Sequence, residues 1–305
     1  MYEFIHVWDE THPIFAGPSK VKVETEELKP PAFYDYREFK GRWKGPTMPV
    51  LRAHKTTPGK GAIPWGYAIY DDGGLADSPE TELICGGVTG KGPSYYSILR
   101  QGRYLLWGFS PTPDDFTAIG EALFINCVHY LSKFAADEPL VRKINDSRKR
   151  IINTIELTRI EKGFMWLLER DLTADVLSST GKDLDKLATW YRENESWLHP
   201  VAGEKARMKL DVDAVAKELR TANDQVESLG QWIDLLETAK SESALALLRR
   251  YAPEDLGAAK APWKRWFDEN RPYLFFCDSA GFKFFLDVRA RQAKAPIKEF
   301  RTRKP

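Results

Sequence analysis

Two β-rich runs, SYYSILR (94–100) and RYLLWGF (103–109), are separated by Gln101-Gly102. A two-residue link containing glycine closes an antiparallel hairpin, because glycine accepts the positive φ of a tight turn. The stretch that follows, SPTPDDFTAIGEALFINCVHYLSKF, predicts a helix. Pro113 suits its start, Asp114 and Asp115 suit its positive end, and Phe116, Ile119, Leu123, Cys127 and Tyr130 recur at helical spacing. Upstream, MPVLRAHKT, AIPWGYAIYD and TELICGG are short apolar runs bounded by turn residues, which reads as strands. Strands followed by a helix that packs back on them read as α/β.

Beyond Ala136 the pattern changes to charged, mainly helical sequence. The run 138–171 carries an interrupted apolar face of Ile144, Ile151, Ile155, Phe164, Leu167 and Leu168. Asp224 and Glu227 have capping-box spacing before a stripe of Val226, Leu229, Trp232, Ile233 and Leu236. SALALLRRY predicts another helix. Pro262 opens a last one, with Trp263, Trp266 and Phe267 expected in the core. YLFFC, DSAG and FKFFL predict a closing β-hairpin. The expected organisation is an α/β domain over 1–136, a mainly helical domain over 137–288 and a disordered basic tail over 289–305.

The chain has 305 residues, a formal net charge of +1 and 43% hydrophobic residues. That length suggests about two domains, and the charge balance argues against a nucleic-acid binder driven by bulk charge. The tail holds seven Lys/Arg and one Glu and is expected to be a solvated end. Cys85, Cys127 and Cys277 lie far apart in apolar surroundings, so neither a zinc motif nor a disulfide framework is expected. No apolar run is long enough for a membrane span, and the N-terminus lacks the pattern of a signal peptide.

The glycine-rich stretch ICGGVTGKGPSYYS (84–97) invites a phosphate-loop reading, which its spacing refuses. Residue 85 is Cys where the first glycine belongs, residue 92 is Gly where a hydroxyl would hold magnesium, and a strand rather than a helix follows. HVWDETHP concentrates His6, Asp9, Glu10 and His12, whose side chains are expected to be structural before they are ligands. Asp211 and Asp213 read as helix-start acids and not as a calcium loop. No cofactor and no metal are expected.

HPIFAGP and ELICGGVTGKGPSYYSILRQGRYLLWGFSPTPDDFTAIGEALFINCVHYLSKF together resemble the C-terminal half of a ThuA-like domain, of the class I glutamine amidotransferase-like group. WKRWFDENRPYLFF and GFKFFLD resemble the helical tails that follow such domains in bacterial, often exported, proteins. The resemblance covers most of 2–134 and, more weakly, 211–287. It implies a partial flavodoxin-like sheet with a hairpin, and a link to carbohydrate metabolism. In glutaminase members a strand-end F-H-P-E motif supplies the catalytic His. Here the segment is Phe109-Ser110-Pro111-Thr112, so Ser110 stands where the His would be, and a hydroxyl is no base at neutral pH. Ligand contact is expected at Asp9, His12, Lys91, Ser110 and Asp114, in loops at the carboxyl ends of strands, with no catalytic residue.

Three readings follow. The first is a non-catalytic, pseudoenzyme-like module for ligand binding or protein interaction, with a second copy or a protein partner completing the sheet. The second is a ThuA-type enzyme acting on a sugar derivative through His12 and Asp9. The third is a piece of a longer exported protein, motivated by the abrupt N-terminus. The chain as it stands reads as cytoplasmic, and as periplasmic or exported if Met1 is an internal start.

Overall fold

The computed structural model describes residues 3–31, 43, 45–55, 66–71, 74–89, 92–110, 112–202 and 208–298. Lys91, Pro111 and the first part of AIPWGYAIYD fall outside the described residues. The chain divides into two units. One comprises Met1–Asp71, Pro79–Pro139 and Glu299–Pro305; the other comprises Asp72–Ser78 and Leu140–Lys298. The division thus falls after Pro139 rather than after Ala136, and the second unit also takes in a short segment from the first half.

In the first unit, strands β1 (Phe4–Val7), β2 (Glu26–Leu28), β3 (Met48–Arg52), β4 (Ile69–Tyr70), β5 (Thr81–Gly87), β6 (Tyr95–Gln101) and β7 (Tyr104–Trp107) form one sheet. Its order is β2-β3-β1-β5-β6-β4, with β7 also paired to β6. The unit is α/β, as the sequence pattern predicts, and every pairing among the described strands is antiparallel. The β5–β6–β7 run is joined by connections too short for the crossover that parallel pairing needs. The predicted hairpin forms one residue further on. Gln101 pairs with Tyr104, which leaves Gly102-Arg103 as the turn, and Gly102 supplies φ +54.

All seven residues of β5 are buried, which fits a central strand covered on both faces. On one side Ile5, Leu51, Cys85 and Ile98 form a core with α1 (Pro13–Ala16) and α2 (Ala118–Ser132), through Ile14, Phe15, Leu123, Cys127 and Tyr130. Phe4, Met48, Val50 and Val88 form a separate small cluster. Thr117 caps α2: its hydroxyl oxygen accepts from Gly120 N at 3.0 Å, and the hydroxyl donates to Arg52 O at 2.9 Å. Buried Asn126 donates to Ile14 O and to Ser19 O, both at 2.7 Å, and accepts from Ser19 N at 3.0 Å. One satisfied amide therefore ties the loop after α1 to α2.

The second unit is mainly helical. It contains α3 (Lys149–Ile160), α4 (Met165–Asp171), α5 (Ala174–Thr180), α6 (Leu184–Asn194), α7 (Ala214–Glu218), α8 (Val226–Leu235), α9 (Ser241–Tyr251), α10 (Lys260–Asn270) and α11 (Val288–Ala293). Two hairpins accompany them, β8 (Leu198–Ala202) with β9 (Met208–Val212), and β10 (Leu274–Cys277) with β11 (Lys283–Leu286). The α8 stripe and the Trp263, Trp266 and Phe267 face of α10 are buried together in one core, as their spacing predicts. A second core gathers Ile151, Ile155, Leu168, Leu187 and Tyr191.

Four local expectations change. The stretch 140–148 is not helical; Ile144 N and Asn145 N donate instead to Ser279 O in the β10–β11 turn. Asp224 does not cap α8, whose N-cap is Gln225; its carboxylate lies 3.5 Å from the Arg148 guanidinium. Asp211, expected as a helix-start acid, belongs instead to β9 and pairs with His199 in β8, while Asp213 alone caps α7. The basic segment starts inside α11, capped by Asp287, because one well-placed carboxylate satisfies the first free N–H groups.

Gly120 marks the closest backbone approach in the first unit, since a Cβ there would lie 1.8 Å from Ala53 O. Gly120→Ala gains up to about 1 kcal/mol of helix propensity but forces α2 off the sheet. Overpacking of this kind costs about 1–3 kcal/mol. The expected result is a net fall in the denaturation midpoint with an unchanged m-value in urea titration.

Candidate functional site

Among the described residues of the first unit, a dense polar constellation forms around a carboxylate in the sheet. Glu82 on β5 stands directly across from Arg100 on β6. Glu82 Oε2 accepts from Arg100 Nε at 3.0 Å, while the Tyr130 hydroxyl on α2 lies 3.1 Å and 3.0 Å from the two carboxylate oxygens. Glu82 Oε1 also meets His12 Nε2 at 3.0 Å. The Arg100 side chain is fully buried. It donates to Gly102 O at 2.8 Å and lies 3.6 Å from the centre of the Phe134 ring. Alternation along two paired strands places both charges on one face, and the C-terminal part of α2 closes over them.

Burial favours the neutral form of Glu82, but the hydrogen bond from His12, with the charge and hydrogen bond of the Arg100 guanidinium, outweighs it. The carboxyl is held below its usual range. Burial, then the neighbouring Glu82, push the Tyr130 hydroxyl well above its ordinary value.

His12 is the N-cap of α1. Its Nδ1 accepts from Ile14 N at 3.3 Å, so Nε2 carries the ring proton and donates it to Glu82. Both nitrogens are therefore committed within the protein. An imidazole in this state holds a loop in place and keeps no lone pair for a substrate proton.

The other expected ligand contacts lie elsewhere. Asp9 Oδ1 accepts from Thr11 N at 2.9 Å and from the Thr11 hydroxyl at 2.5 Å, closing a turn just before α1. Ser110 and Asp114 are exposed, and the backbone carbonyl of Asp114 accepts from Lys55 Nζ at 2.9 Å. Lys91 lies outside the described residues. Asp114 precedes the start of α2, whereas His12 packs edge-on against Tyr130 near its end, with ring centres 5.0 Å apart. The helix between them rises ~18 Å at 1.5 Å per residue. Asp9 and His12 thus sit at one end of α2, and Ser110 and Asp114 at the other.

Glu82, Arg100 and Tyr130 were missed by sequence reasoning. The available signal was one glutamate in TELICGG and one arginine in SYYSILR, each a lone charge in an otherwise apolar or aromatic strand. The thiols are poorly placed for nucleophilic work. Burial pushes Cys85 well above its ordinary value and Cys127 up to about 12, and it also raises Cys277. Among the described residues no group of three or more His, Cys, Asp or Glu side chains is arranged to hold a metal ion, and no helix is long and apolar enough to cross a membrane.

Glu82→Gln leaves the Arg100 charge buried without its carboxylate, which costs about 3–5 kcal/mol. His12→Ala loses a cap and one bond while Arg100 keeps its partner, which costs about 1 kcal/mol. Chemical denaturation should rank the two variants in that order. Glu82 has a depressed folded pKa, so its contribution is complete above the unfolded value of about 4.3 and is lost as pH falls through the lower folded value. Stability measured from pH 6 to pH 3 should fall less steeply in Glu82→Gln than in the parent.

Comparison with known proteins gives no matching family model, no matching curated protein and no matching solved structure.

Proposed function

We propose that the first unit is a non-catalytic, ThuA-like module that works by binding, with a protein partner or a second copy engaged at its sheet edge. The observation that carries this reading is the state of His12. Its two ring nitrogens are taken by Ile14 N and Glu82, so the imidazole closest to the expected ligand end is structural. The buried, protonated thiols of Cys85 and Cys127 support the same reading, as does Ser110 at the position where the resembling family carries a base.

The family part of the proposal rests on a narrower base. A β-hairpin followed by a proline-rich turn and a helix returning over the sheet is the feature that supports the likeness. The antiparallel pairing of β1, β3 and β5 lies outside what a parallel flavodoxin-like core offers and weighs against extending the likeness to the whole unit. The partner half of the reading rests on the edge where β4 and β7 meet β6. Tyr67, Ile69 and Tyr104 expose 77%, 41% and 58% of their surface there. Short edge strands with exposed apolar side chains invite pairing by another chain.

Purified protein should show no turnover of glutamine or of sugar derivatives above background. Light scattering should report an oligomer that Ile69→Lys with Tyr104→Lys dissociates. Robust turnover abolished by His12→Ala or Asp9→Ala would overturn the binding reading in favour of an enzyme acting on a sugar. A monomer at all concentrations would remove the second copy as the partner.

A further inference from the structure

His54, just after β3, is a buried titratable group that the reading above does not use. It is 1% exposed, and its ring lies 4.6 Å from Phe109, 4.7 Å from Phe116 and 6.3 Å from Trp107, centre to centre. Among the described residues neither ring nitrogen has a hydrogen-bond partner. The charged groups closest to it electrostatically are Asp115, in the turn before α2, and Glu3, just before β1. Both are engaged elsewhere. Asp115 Oδ2 accepts from the Thr112 hydroxyl at 3.2 Å, and Glu3 lies 3.3 Å from the Arg52 guanidinium. Lys55, the next residue, donates its ammonium to Asp114 O. Among the described residues, no acceptor therefore faces either imidazole nitrogen from β1, β3 or the turn before α2.

The same place joins two segments through their backbones. Lys55 N donates to Asp115 O at 2.8 Å, Thr117 N donates to Ala53 O at 3.1 Å, and His54 forms an isolated antiparallel bridge with Phe116. The end of β3 thereby holds the N-terminus of α2, and the aromatic box around His54 is the side-chain counterpart of that pairing.

We infer that His54 is an acid-sensitive latch, whose protonation opens the pairing of residues 53–55 with residues 115–117. A neutral imidazole leaves one donor and one acceptor unmet in the box. An imidazolium leaves two charge-assisted donors unmet and adds a desolvated charge. Ring faces and distant carboxylates attract that charge, but they accept no hydrogen bond from it. The lowest-cost response is to release the ring to water, and the backbone pairs of residues 53–55 with residues 115–117 are contacts that hold it in place. Burial accordingly outweighs the attraction of Asp115 and Glu3 and holds the imidazole below its ordinary value. With a depressed folded pKa, the closed state is fully favoured above about pH 6.5 and loses stability as pH falls from there towards the folded value.

Amide hydrogen exchange, normalised to intrinsic rates at each pH, reads this directly. Between pH 6.5 and pH 5.5 the protection of Lys55 N and Thr117 N should fall by up to about tenfold, the limit for one proton. The protection of α8 and α9 amides should stay constant. His54→Phe fills the box without a titrating group and should keep Lys55 and Thr117 protected across the range. A flat profile in the parent, or the same fall in His54→Phe, would overturn the inference. If His54→Phe does not fold, the imidazole Hε1 resonance of the parent decides: titration at or above pH 6.5 removes the latch, and titration below it keeps it.

Discussion

A guanidinium with no exposed surface lies inside the sheet of the first unit, and much of that unit is arranged to make it tolerable. Desolvating an arginine costs several kcal/mol unless a carboxylate and further acceptors meet it. Glu82 supplies the carboxylate from the neighbouring strand, Gly102 O supplies a second acceptor from the hairpin turn, and Phe134 covers the open face. That solution needs β5 and β6 in one register, the turn at Gly102, and α2 long enough to bring Tyr130 and Phe134 over the strands. His12 binds the same carboxylate and so ties the loop before α1 to the sheet. What looks like a site of paired acid and base is in this sense an anchor.

The second unit also buries a guanidinium, and beside it a carboxylate. Arg148, nearly fully buried, is met by Asp278 with contacts of 2.9–3.1 Å and donates also to Glu195 O and Asn223 Oδ1. Asp213 caps α7 through Val215 N and Ala216 N, and accepts from the Tyr251 hydroxyl at 2.7 Å while pairing with Arg250. Asn223 links the two centres by donating to Tyr251. Short helices and two-stranded hairpins bury little surface individually, so satisfied polar networks fix their mutual register where apolar packing alone would leave alternatives.

The polar groups gathered around Glu82 are committed to one another. A catalytic centre needs groups whose hydrogen-bonding capacity is held open for a substrate. Three of the four histidines in the described part of the first unit are held by their surroundings: His12 by a cap and a carboxylate, His6 in a stack with Trp8 and Trp43, and His54 in an aromatic box, while His129 is exposed on α2. At the β4–β7 edge the exposed groups are apolar instead: Tyr67, Ile69 and Tyr104.

Local pattern was enough for the strand grammar around TELICGG, the hairpin at Gly102, the helix from Ala118, the Trp263–Trp266–Phe267 face and the closing hairpin. Each is set by side-chain period or by a turn residue, and those act over a few neighbours. Strand direction was not legible. Whether β1 enters beside β3 and β5 depends on contacts between residues some eighty positions apart, as Ile5 with Gly87 shows. The candidate site was only half legible for the same reason. His12 stood out by composition, but Glu82, Arg100 and Tyr130 acquire meaning when two strands and a helix converge, and that convergence also separates Ser110 and Asp114 from His12 by the length of α2. The sequence by itself determined the segments with a strong side-chain period or a turn residue, such as the helix from Ala118, the hairpin at Gly102 and the apolar face of Trp263, Trp266 and Phe267. Only the tertiary structure decided which charges meet, because a buried charge is stabilised by partners that chain folding, not chain order, brings within reach.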